Sequence, residues 1–438
     1  MHSAATPVGS IMAFVLMNRY GRKMAILISV FPLIIGWILI ALAPSHWVIL
    51  AGRIVAGIGV GILSPVAQVL LAEISSPNIR GLLIGVPFVS YSMGILVVYG
   101  LGAFLDWRIV AWCGLVLPLL SFVLLIFTPE SPTWLASIGQ YEKAKKGEFE
   151  PILFLSILFL FSFVALAWLR GGEQKSLDEF DELKSKDEHD KLIQSQEKPS
   201  VITTLKQGPV LKPLVLINAF NILQVMSGTY QIVFYAVDVI TDIHDYEDSS
   251  MSINPMQSAV ATALIRLILS IIYCFLLLKV GRRSLYLTTC LLSGISSIFL
   301  SIFLFIKGDS PKSTADLYII GVVVLIYISF NTACLFMPGI LTGELLPLKV
   351  RHYAGVVFTL HTLLLFVIIK TFPDMLALLR SQGIFMVFGI ASLLAAVLFY
   401  FLLPETKNRS LNQIETYYQD KNWRWQSRRK DSDPTDQS

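Results

Sequence analysis

Apolar stretches of about twenty residues recur along this chain, and short charged connectors separate them. A helix can cross a bilayer at that length because it satisfies its own backbone hydrogen bonds where hydrocarbon offers no partners. Of the residues, 55% are hydrophobic and only 15% are charged, and the mean hydropathy is +0.69. We therefore predict an all-α membrane protein. The predicted spans are Pro7–Met17 (short), Met24–Ala43, Trp47–Ala72, Leu82–Leu105, Val110–Thr128, Pro213–Val237, Met256–Leu278, Leu285–Ile306, Leu317–Thr342, Tyr353–Phe372 and Ile384–Leu403.

Charged residues between these spans occur twice in the same order. The first series runs from Asn18-Arg19-Tyr20-Gly21-Arg22-Lys23 through Glu73 and Arg80 to Pro129-Glu130-Ser131. The second runs from Lys279-Val280-Gly281-Arg282-Arg283 through Glu344 and Arg351 to Pro404-Glu405-Thr406. Two matched series indicate an internal repeat. Parallel repeats in a hydrophobic chain are typical of secondary transporters, which hold the substrate between their halves.

The same charged motifs divide the chain into four predicted parts. They are an N-terminal bundle at 1–128, a linker at 129–212, a C-terminal bundle at 213–403 and a tail at 404–438. Lys and Arg collect on one side if the helices alternate, whereas Asp238–Asp248 holds five acids and no Lys or Arg. Under the positive-inside rule, the repeated motifs, linker and tail are cytosolic. We expect short amphipathic helices in Gly171–Lys206 and a polar tail.

One further apolar stretch, 152–169, does not fit the alternation. Basic residues flank both of its ends, and a single crossing would invert the whole second half. Two interpretations remain open. Either the segment lies in or re-enters the membrane interface, or a retained intron encodes it.

The repeated charges predict a gate at the cytosolic ends of the helices. Basic side chains after a turning glycine can reach carboxylates on neighbouring helix ends, and contacts present in one conformation alone would hold that side shut. The positive-inside rule by itself also explains basic residues at these ends. The predicted gate residues are Arg22, Lys23, Arg53, Glu73, Arg80, Glu130, Arg282, Arg283, Glu344, Arg351 and Glu405.

Other classes of protein find little support in the composition. The net charge of +4 does not indicate a nucleic-acid partner, and the four cysteines lie in apolar runs without metal-ligand or disulfide spacing. Gly57, Gly59 and Gly61 follow no strand, so they predict close helix packing rather than a nucleotide loop. No catalytic triad, metal cluster or P-loop is present in the sequence. We expect no enzymatic activity, no cofactor and a monomer.

The motifs NRYGRK, GRIVAGIGVG, EISSPNIRG, PESPTWL, SGTYQIVFYA, KVGRR, GELLPLKVR and PETKNRS resemble those of the sugar porter family of the major facilitator superfamily. The resemblance covers nearly the whole chain and is closest to insect-type trehalose and hexose transporters. It implies two helical bundles joined by a cytosolic linker, a plasma-membrane location and a sugar bound at mid-membrane. Met1 falls where the second helix of the family begins.

The resemblance also predicts which residues contact the sugar. Gln224 and Asn331 fall on positions that bind sugar in relatives, and Ser227, Tyr230 and Thr362 lie inside apolar spans beside them. Interhelical hydrogen bonding is the alternative for each of them. Several family residues differ here, since Gly339 stands where a tryptophan is usual and His361-Thr362 replace an Asn-Trp pair. Arg266 is predicted either to line the path or to bind a helix C-terminus.

Three functions remain open at this stage. The first is facilitated diffusion of trehalose or a hexose by alternating access. The second is a non-transporting sugar sensor or an inactive or mis-spliced paralogue, which the altered sugar shell favours. The third is a proton-coupled sugar symporter, for which the key acid of relatives lies in the absent first helix.

Overall fold

The computed structural model describes residues 2–75, 80–128, 130–131, 134–135, 138–139, 208–235, 255–308, 314–346 and 354–407. Its elements are α1 (His2–Tyr20), α2 (Arg22–Ala41), α3 (His46–Ile74), α4 (Arg80–Gly102), α5 (Trp107–Phe127), α6 (Gly208–Met226), α7 (Gln231–Phe234), α8 (Pro255–Lys279), α9 (Arg282–Lys307), α10 (Thr314–Leu345) and α11 (Ala354–Leu402). The predicted segment 152–169, the helices of 171–206, the acidic stretch 238–248 and most of the tail lie outside the described residues.

Within the described residues, nine stretches are long and apolar enough to cross a membrane by length and composition. The 49-residue α11 measures about 73 Å at 1.5 Å per residue, which is enough for two crossings. Arg380 interrupts it with a non-helical φ of 51°, between the two predicted spans. The predicted span Pro213–Val237 corresponds to Val210–Val233, which is long and apolar enough to cross a membrane. A turn at Ser227–Tyr230, which the sequence analysis did not predict, separates α6 from α7 within it.

Glycines set the packing of α3 in the first half. A Cβ on Gly57 or Gly61 would overlap the backbone of α1, and a Cβ on Gly59 would lie 2.8 Å from Leu33 of α2. These contacts confirm the prediction that the three glycines serve close helix packing. The structure extends the short predicted first span to the 19 residues of α1, which lies in the cleft between α3 and α11.

The order of the motifs pairs elements of the two halves: α2 with α9, α3 with α10, and α4 with the first part of α11. By the same order, α1 corresponds to α8. The halves touch mainly where α1 packs on α11 and where α4 packs on α8. These two contacts are equivalent under the repeat. The interface is thus formed by matched elements, as expected for two parallel repeats.

Candidate functional site

The first cluster of charges lies where α2 begins and α3 ends, which we call the charged end. Arg22 binds Glu73 through two hydrogen bonds, from Nε to Oε2 at 3.0 Å and from Nη2 to Oε1 at 2.8 Å. The Ser131 hydroxyl donates to the same Glu73 carboxylate at 2.5 Å. Glu130 accepts from the backbone N–H groups of Arg22 and Lys23 at 2.9 and 3.0 Å. Its negative charge therefore caps the N-terminus of α2.

The second cluster repeats this arrangement at the start of α9. Arg282 Nη2 donates to Glu344 Oε1 at 3.3 Å, and the Thr406 hydroxyl donates to Glu344 Oε2 at 2.5 Å. Glu405 accepts from the backbone N–H groups of Arg282 and Arg283 at 2.9 and 3.2 Å. Both side chains of the Arg282–Glu344 pair are only 2% exposed. Each half therefore ties three of its own helix ends together by the same chemistry.

The two halves also pack against each other at the charged end. Arg282 lies directly on Gly81 of α4, where an added Cβ would overlap its guanidinium group. Cys274 of α8 lies close to Leu82, with Sγ 3.5 Å from the carbonyl oxygen, and a Cβ on Gly85 would lie 3.1 Å from that sulfur. Small residues on α4 thus allow the second half to approach its backbone.

Most of the predicted gate residues meet in these clusters. Arg80 is buried beside the first one and donates from Nη2 to the Ser75 carbonyl oxygen at 3.3 Å. Arg351 lies outside the described residues. The prediction for Arg53 was wrong, because twenty residues of α3 separate it from Glu73, or about 30 Å at 1.5 Å per residue. Its side chain is exposed near the start of α3, at the opposite end of the bundle.

A break between α6 and α7 forms the centre of the second site. Gly228 has a φ of 82°, a conformation that suits glycine, and it redirects the chain at Ser227–Tyr230. The Ser227 carbonyl oxygen accepts from Tyr327 at 2.5 Å and from Asn331 Nδ2 at 3.1 Å. Side chains of α10 thus replace hydrogen bonds that the helix loses at the break.

Arg266 supports the same break from α8. Its Nη1 donates to the Thr229 carbonyl oxygen at 3.3 Å, and its side chain is 4% exposed. It also lines a small cavity together with Tyr99, Thr262 and Ile328. The choice between the two sequence interpretations of Arg266 stays open, because neither a substrate path nor a helix C-terminus at Thr229 is seen in the described residues.

Several buried amides next to the break present atoms without a hydrogen-bond partner among the described residues. They include Oε1 and Nε2 of Gln224, Oδ1 of Asn331 and Oε1 of Gln231. Oε1 of Gln68, which lies beside Gly339, is another such atom away from the break. Buried polar atoms are normally bonded, so a concentration of such atoms indicates a place where a polar ligand or water binds. Amides both donate and accept, as the hydroxyl groups of a polyol require.

The other predicted sugar contacts differ in which of their hydrogen-bonding atoms are available to a ligand. Tyr230 faces His361, with its hydroxyl 3.5 Å from Nε2 and the ring centroids 5.9 Å apart. The Thr362 hydroxyl donates within its own helix, to the Phe358 carbonyl oxygen at 2.9 Å. Ser227 likewise donates to the Gln224 carbonyl oxygen at 2.7 Å. Thr362 can therefore offer a ligand only acceptor lone pairs in this state. The Ser227 oxygen also contacts Thr229 Oγ1 at 3.0 Å and accepts from Asn331 Nδ2 at 3.4 Å, so its lone pairs are already engaged.

Side chains of the first half fill the space beside Gly339, the position at which the resemblance predicts a tryptophan. A Cβ at this position would lie 2.7 Å from Gln68 Nε2 and 2.7 Å from the Phe88 ring. Phe88 in turn packs on Phe336, with centroids 5.3 Å apart. Two side chains of the first half therefore occupy the surface that Gly339 leaves open on α10.

Sequence reasoning missed that Tyr327 binds the break and that Gln68 and Phe88 contact Gly339. Gln68 carried a readable signal, since it is an uncharged amide inside an apolar span. Phe88 and Tyr327 carried none, because aromatic residues are common in spanning helices and only the fold shows what each of them contacts.

Comparisons with known proteins agree with this architecture. Residues 1–418 match the family model described as sugar (and other) transporter. The chain is similar to the facilitated trehalose transporter Tret1 of Polypedilum vanderplanki, at 29% identity over 398 residues, which cover 90% of this chain and 73% of the relative. It is also similar to Tret1 of Culex quinquefasciatus, at 29% identity over 410 residues, which cover 93% of this chain and 74% of the relative.

Among solved structures, the fold matches the proton:xylose symporter XylE bound to 6-bromo-6-deoxy-D-glucose, with a TM-score of 0.76 at 19% identity, over 95% of this chain and 87% of XylE. The match to the inward open conformation of XylE from E. coli has a TM-score of 0.62 at 20% identity, over 95% and 88% of the two chains. These likenesses confirm the predicted major facilitator fold. The match over residues 1–418 shows that the chain belongs to the sugar (and other) transporter family.

Proposed function

We propose that this chain carries a neutral sugar, trehalose or a hexose, across a membrane by facilitated diffusion with alternating access. The observation that carries the proposal is the group of buried amides at the break between α6 and α7, enclosed by elements of both halves. A polyol at that place would satisfy atoms that lack partners among the described residues. Membership of the family and the similarity to trehalose transporters support the choice of substrate.

In this proposal, Gln224 and Asn331 make the strongest sugar contacts. Their unbonded amide atoms face the break from α6 and α10, so the two helices would grip opposite sides of one ring. Tyr230 offers its ring to the C–H face of the sugar, and Thr362 accepts a hydrogen bond. Binding would thereby couple the break to α10 and α11.

The charged end would act as the gate. Each cluster holds the helix ends of one half together, so each half can move as a unit. The contacts that must separate are those between the halves, where Arg282 lies on Gly81 and Cys274 lies near Leu82. The packed charged end corresponds to the state closed on that side.

We further propose that the charged end, the linker at 129–212 and the tail at 404–438 face the cytosol, with bundles at 1–128 and 213–403 in the plasma membrane. The excess of Lys and Arg in these connectors supports this orientation. The chain would work as a monomer without a cofactor, a nucleic-acid partner or catalytic activity.

Uptake of labelled trehalose and glucose into proteoliposomes that hold the full chain tests the proposal. We expect saturable uptake that shows counterflow and does not depend on a proton gradient. Gln224→Leu should lower the flux at least about tenfold, since it removes hydrogen bonds worth about 1.4 kcal/mol or more. Ser329→Ala is the control, because that hydroxyl donates to Leu325 on its own helix, and it should stay near the parent flux. Sugar binding without flux would instead identify a sensor.

A further inference from the structure

Arg266 is a buried cation whose charge is poorly compensated by its surroundings. Its side chain is 4% exposed and makes one long hydrogen bond, 3.3 Å, to the Thr229 carbonyl oxygen. A guanidinium group has five N–H donors. An arginine at the centre of a spanning helix costs about 2.5–3.5 kcal/mol on insertion scales, so one neutral acceptor offsets little of that cost.

Acidic residues within the described part of the chain do not supply the missing partner. The helices α4, α6, α7 and α8 contain no Asp or Glu, and α10 has Asp316 and Glu344 near its two ends. Asp316 binds Lys307 at 2.9 Å, and Glu344 binds Arg282. The carboxylates of α10 are thus already bound to other cations. Within the described residues, Arg266 therefore has no carboxylate partner, and a ligand is one source of the missing negative charge.

The cavity beside Arg266 lies between the two halves. Ile95 and Tyr99 of α4 form one wall, while Ile232, Thr262 and Ile328 form the other. The Tyr99 hydroxyl donates to the Val233 carbonyl oxygen at 2.6 Å, and the Thr262 hydroxyl donates to Ala259 at 2.9 Å. Both hydroxyl groups thus donate to backbone carbonyl oxygens, and Arg266 supplies the charged donors of this cavity. An ionic bond at this buried place would be weakly screened.

The same cavity adjoins the sugar site. Thr229, which binds Arg266, belongs to the break at Ser227–Tyr230. Arg266 thus contacts the backbone of the same break at which the amides lie, and a ligand in the break would lie beside its guanidinium group.

We propose that Arg266 binds the carboxylate of an anionic sugar, so that the substrates of this chain include hexuronates. The proposal rests on the proposed function, because the ring of the hexuronate would occupy the amide site at the break. Arginine and carboxylate form paired, charge-assisted hydrogen bonds, which a neutral hydroxymethyl group cannot form. Substrate choice would then depend on charge at this one position.

Glucuronate and glucuronamide separate charge from shape, because the amide keeps the size of the carboxylate without its charge. Binding to the purified full chain is measured by ligand-induced shifts in thermal unfolding. We expect glucuronate to bind at least about tenfold more tightly than glucuronamide to the parent chain. Arg266→Gln should abolish this preference, and Arg266→Lys should retain part of it, since lysine keeps the charge but not the planar fork.

Lys370→Gln is the matched control, since it removes one exposed cation from the spanning helix α11, and the preference should persist in it. Equal binding of glucuronate and glucuronamide to the parent chain overturns the proposal, even if Arg266→Gln fails to fold. Persistence of the preference in Arg266→Gln overturns it as well. Saturable glucose flux without any effect of glucuronate rejects this inference alone. If glucuronate binding depends on Arg266 but no sugar flux is seen, the proposed transport is rejected and the proposed carboxylate site at Arg266 is supported.

Discussion

The two charged clusters use the same residue types in the same order, yet they differ in what lies against them. Arg22 binds Glu73 through two bonds, and its side chain is 10% exposed. Arg282 makes one longer bond to Glu344, is 2% exposed, and lies on Gly81 of the other half. The bonds described for the first cluster lie within one half, whereas the second cluster also contacts the other half at Gly81. Duplicated sequence motifs need not have duplicated functions.

Removal of the acid from each buried pair should have the largest effect. We expect Glu344→Ala and Glu73→Ala to lower the free energy of unfolding by about 3–5 kcal/mol, since each leaves a buried arginine without its charge partner. The loss should be greater for Glu344→Ala, because Arg282 is more deeply buried. Thermal unfolding in detergent measures both.

A paired replacement, Arg282→Met with Glu344→Met, is the control for this prediction. It removes both charges and should recover most of the stability. A larger loss in Glu73→Ala than in Glu344→Ala would contradict the view that the second cluster is the more buried one.

The turning glycines should show the next largest difference. Gly21 has φ 88° and ψ −179°, a region that costs other residues about 1–3 kcal/mol, whereas Gly281 has an ordinary φ of −63°. An added Cβ also meets a carboxylate at both positions, that of Glu130 and that of Glu405. Gly21→Ala should therefore destabilise more than Gly281→Ala in the same unfolding assay. Equal losses would show that crowding by the carboxylate, and not backbone strain, sets the cost.

Contact between the halves is probed by Gly81→Ala, which pushes Arg282 away from α4. We expect alkylation of the buried Cys274 to become about fivefold faster, because the state with separated halves gains population. Mass spectrometry in a Cys113→Ser background follows that thiol. Gly94→Ala on the same helix is the control, since no atom lies within 4 Å of its added Cβ. A similar rate in the two variants would argue against a contact that holds the halves together at Gly81.

The smallest effect concerns the second basic residue of each cluster. Arg283 donates to the Tyr400 carbonyl oxygen at 2.5 Å and lies over the Tyr400 ring, 5.4 Å from its centroid. The side chain of Lys23 donates to the Ile126 carbonyl oxygen at 2.9 Å and has no ring contact of this kind among the described residues. Arg283→Lys should cost up to about 1 kcal/mol of unfolding free energy, since it loses the ring contact. Lys23→Arg should stay within about 0.5 kcal/mol, and a reversed order would contradict the asymmetry.

The sequence alone predicted the fold well because two of its signals, the length of the apolar stretches and the repeated spacing of charged residues, can be read without a structure. Apolar length locates spanning helices, and the spacing of Arg22, Glu73 and Glu130 recurs in Arg282, Glu344 and Glu405. Arg53 was misplaced because it was assigned to the gate by residue type. The predicted span Trp47–Ala72 already places it near the start and Glu73 just beyond the end, so the two belong to opposite ends of α3.

The centre of the molecule was predicted less completely. Gln224 and Asn331 were predicted as sugar contacts from the family resemblance, and the structure places both beside a break that the predicted span did not show. Gly228 was the signal for that break, and glycine is too common in spanning helices to be decisive there. Gln68 and Phe88 contact Gly339 although they are far from it in sequence, so only the packed structure shows this contact.

A disulfide between α4 and α8 tests the central claim, that sugar crosses because the two halves separate at the charged end. A Cβ on Gly85 would lie 3.1 Å from Cys274 Sγ, which suits disulfide formation in a Gly85→Cys variant on a Cys113→Ser background. We predict that oxidation of the Gly85→Cys variant abolishes its sugar flux and that reduction restores it. Oxidation should leave the sugar flux of the control variant Gly94→Cys unchanged. Unchanged flux in a population that mass spectrometry shows to be fully cross-linked would contradict the account.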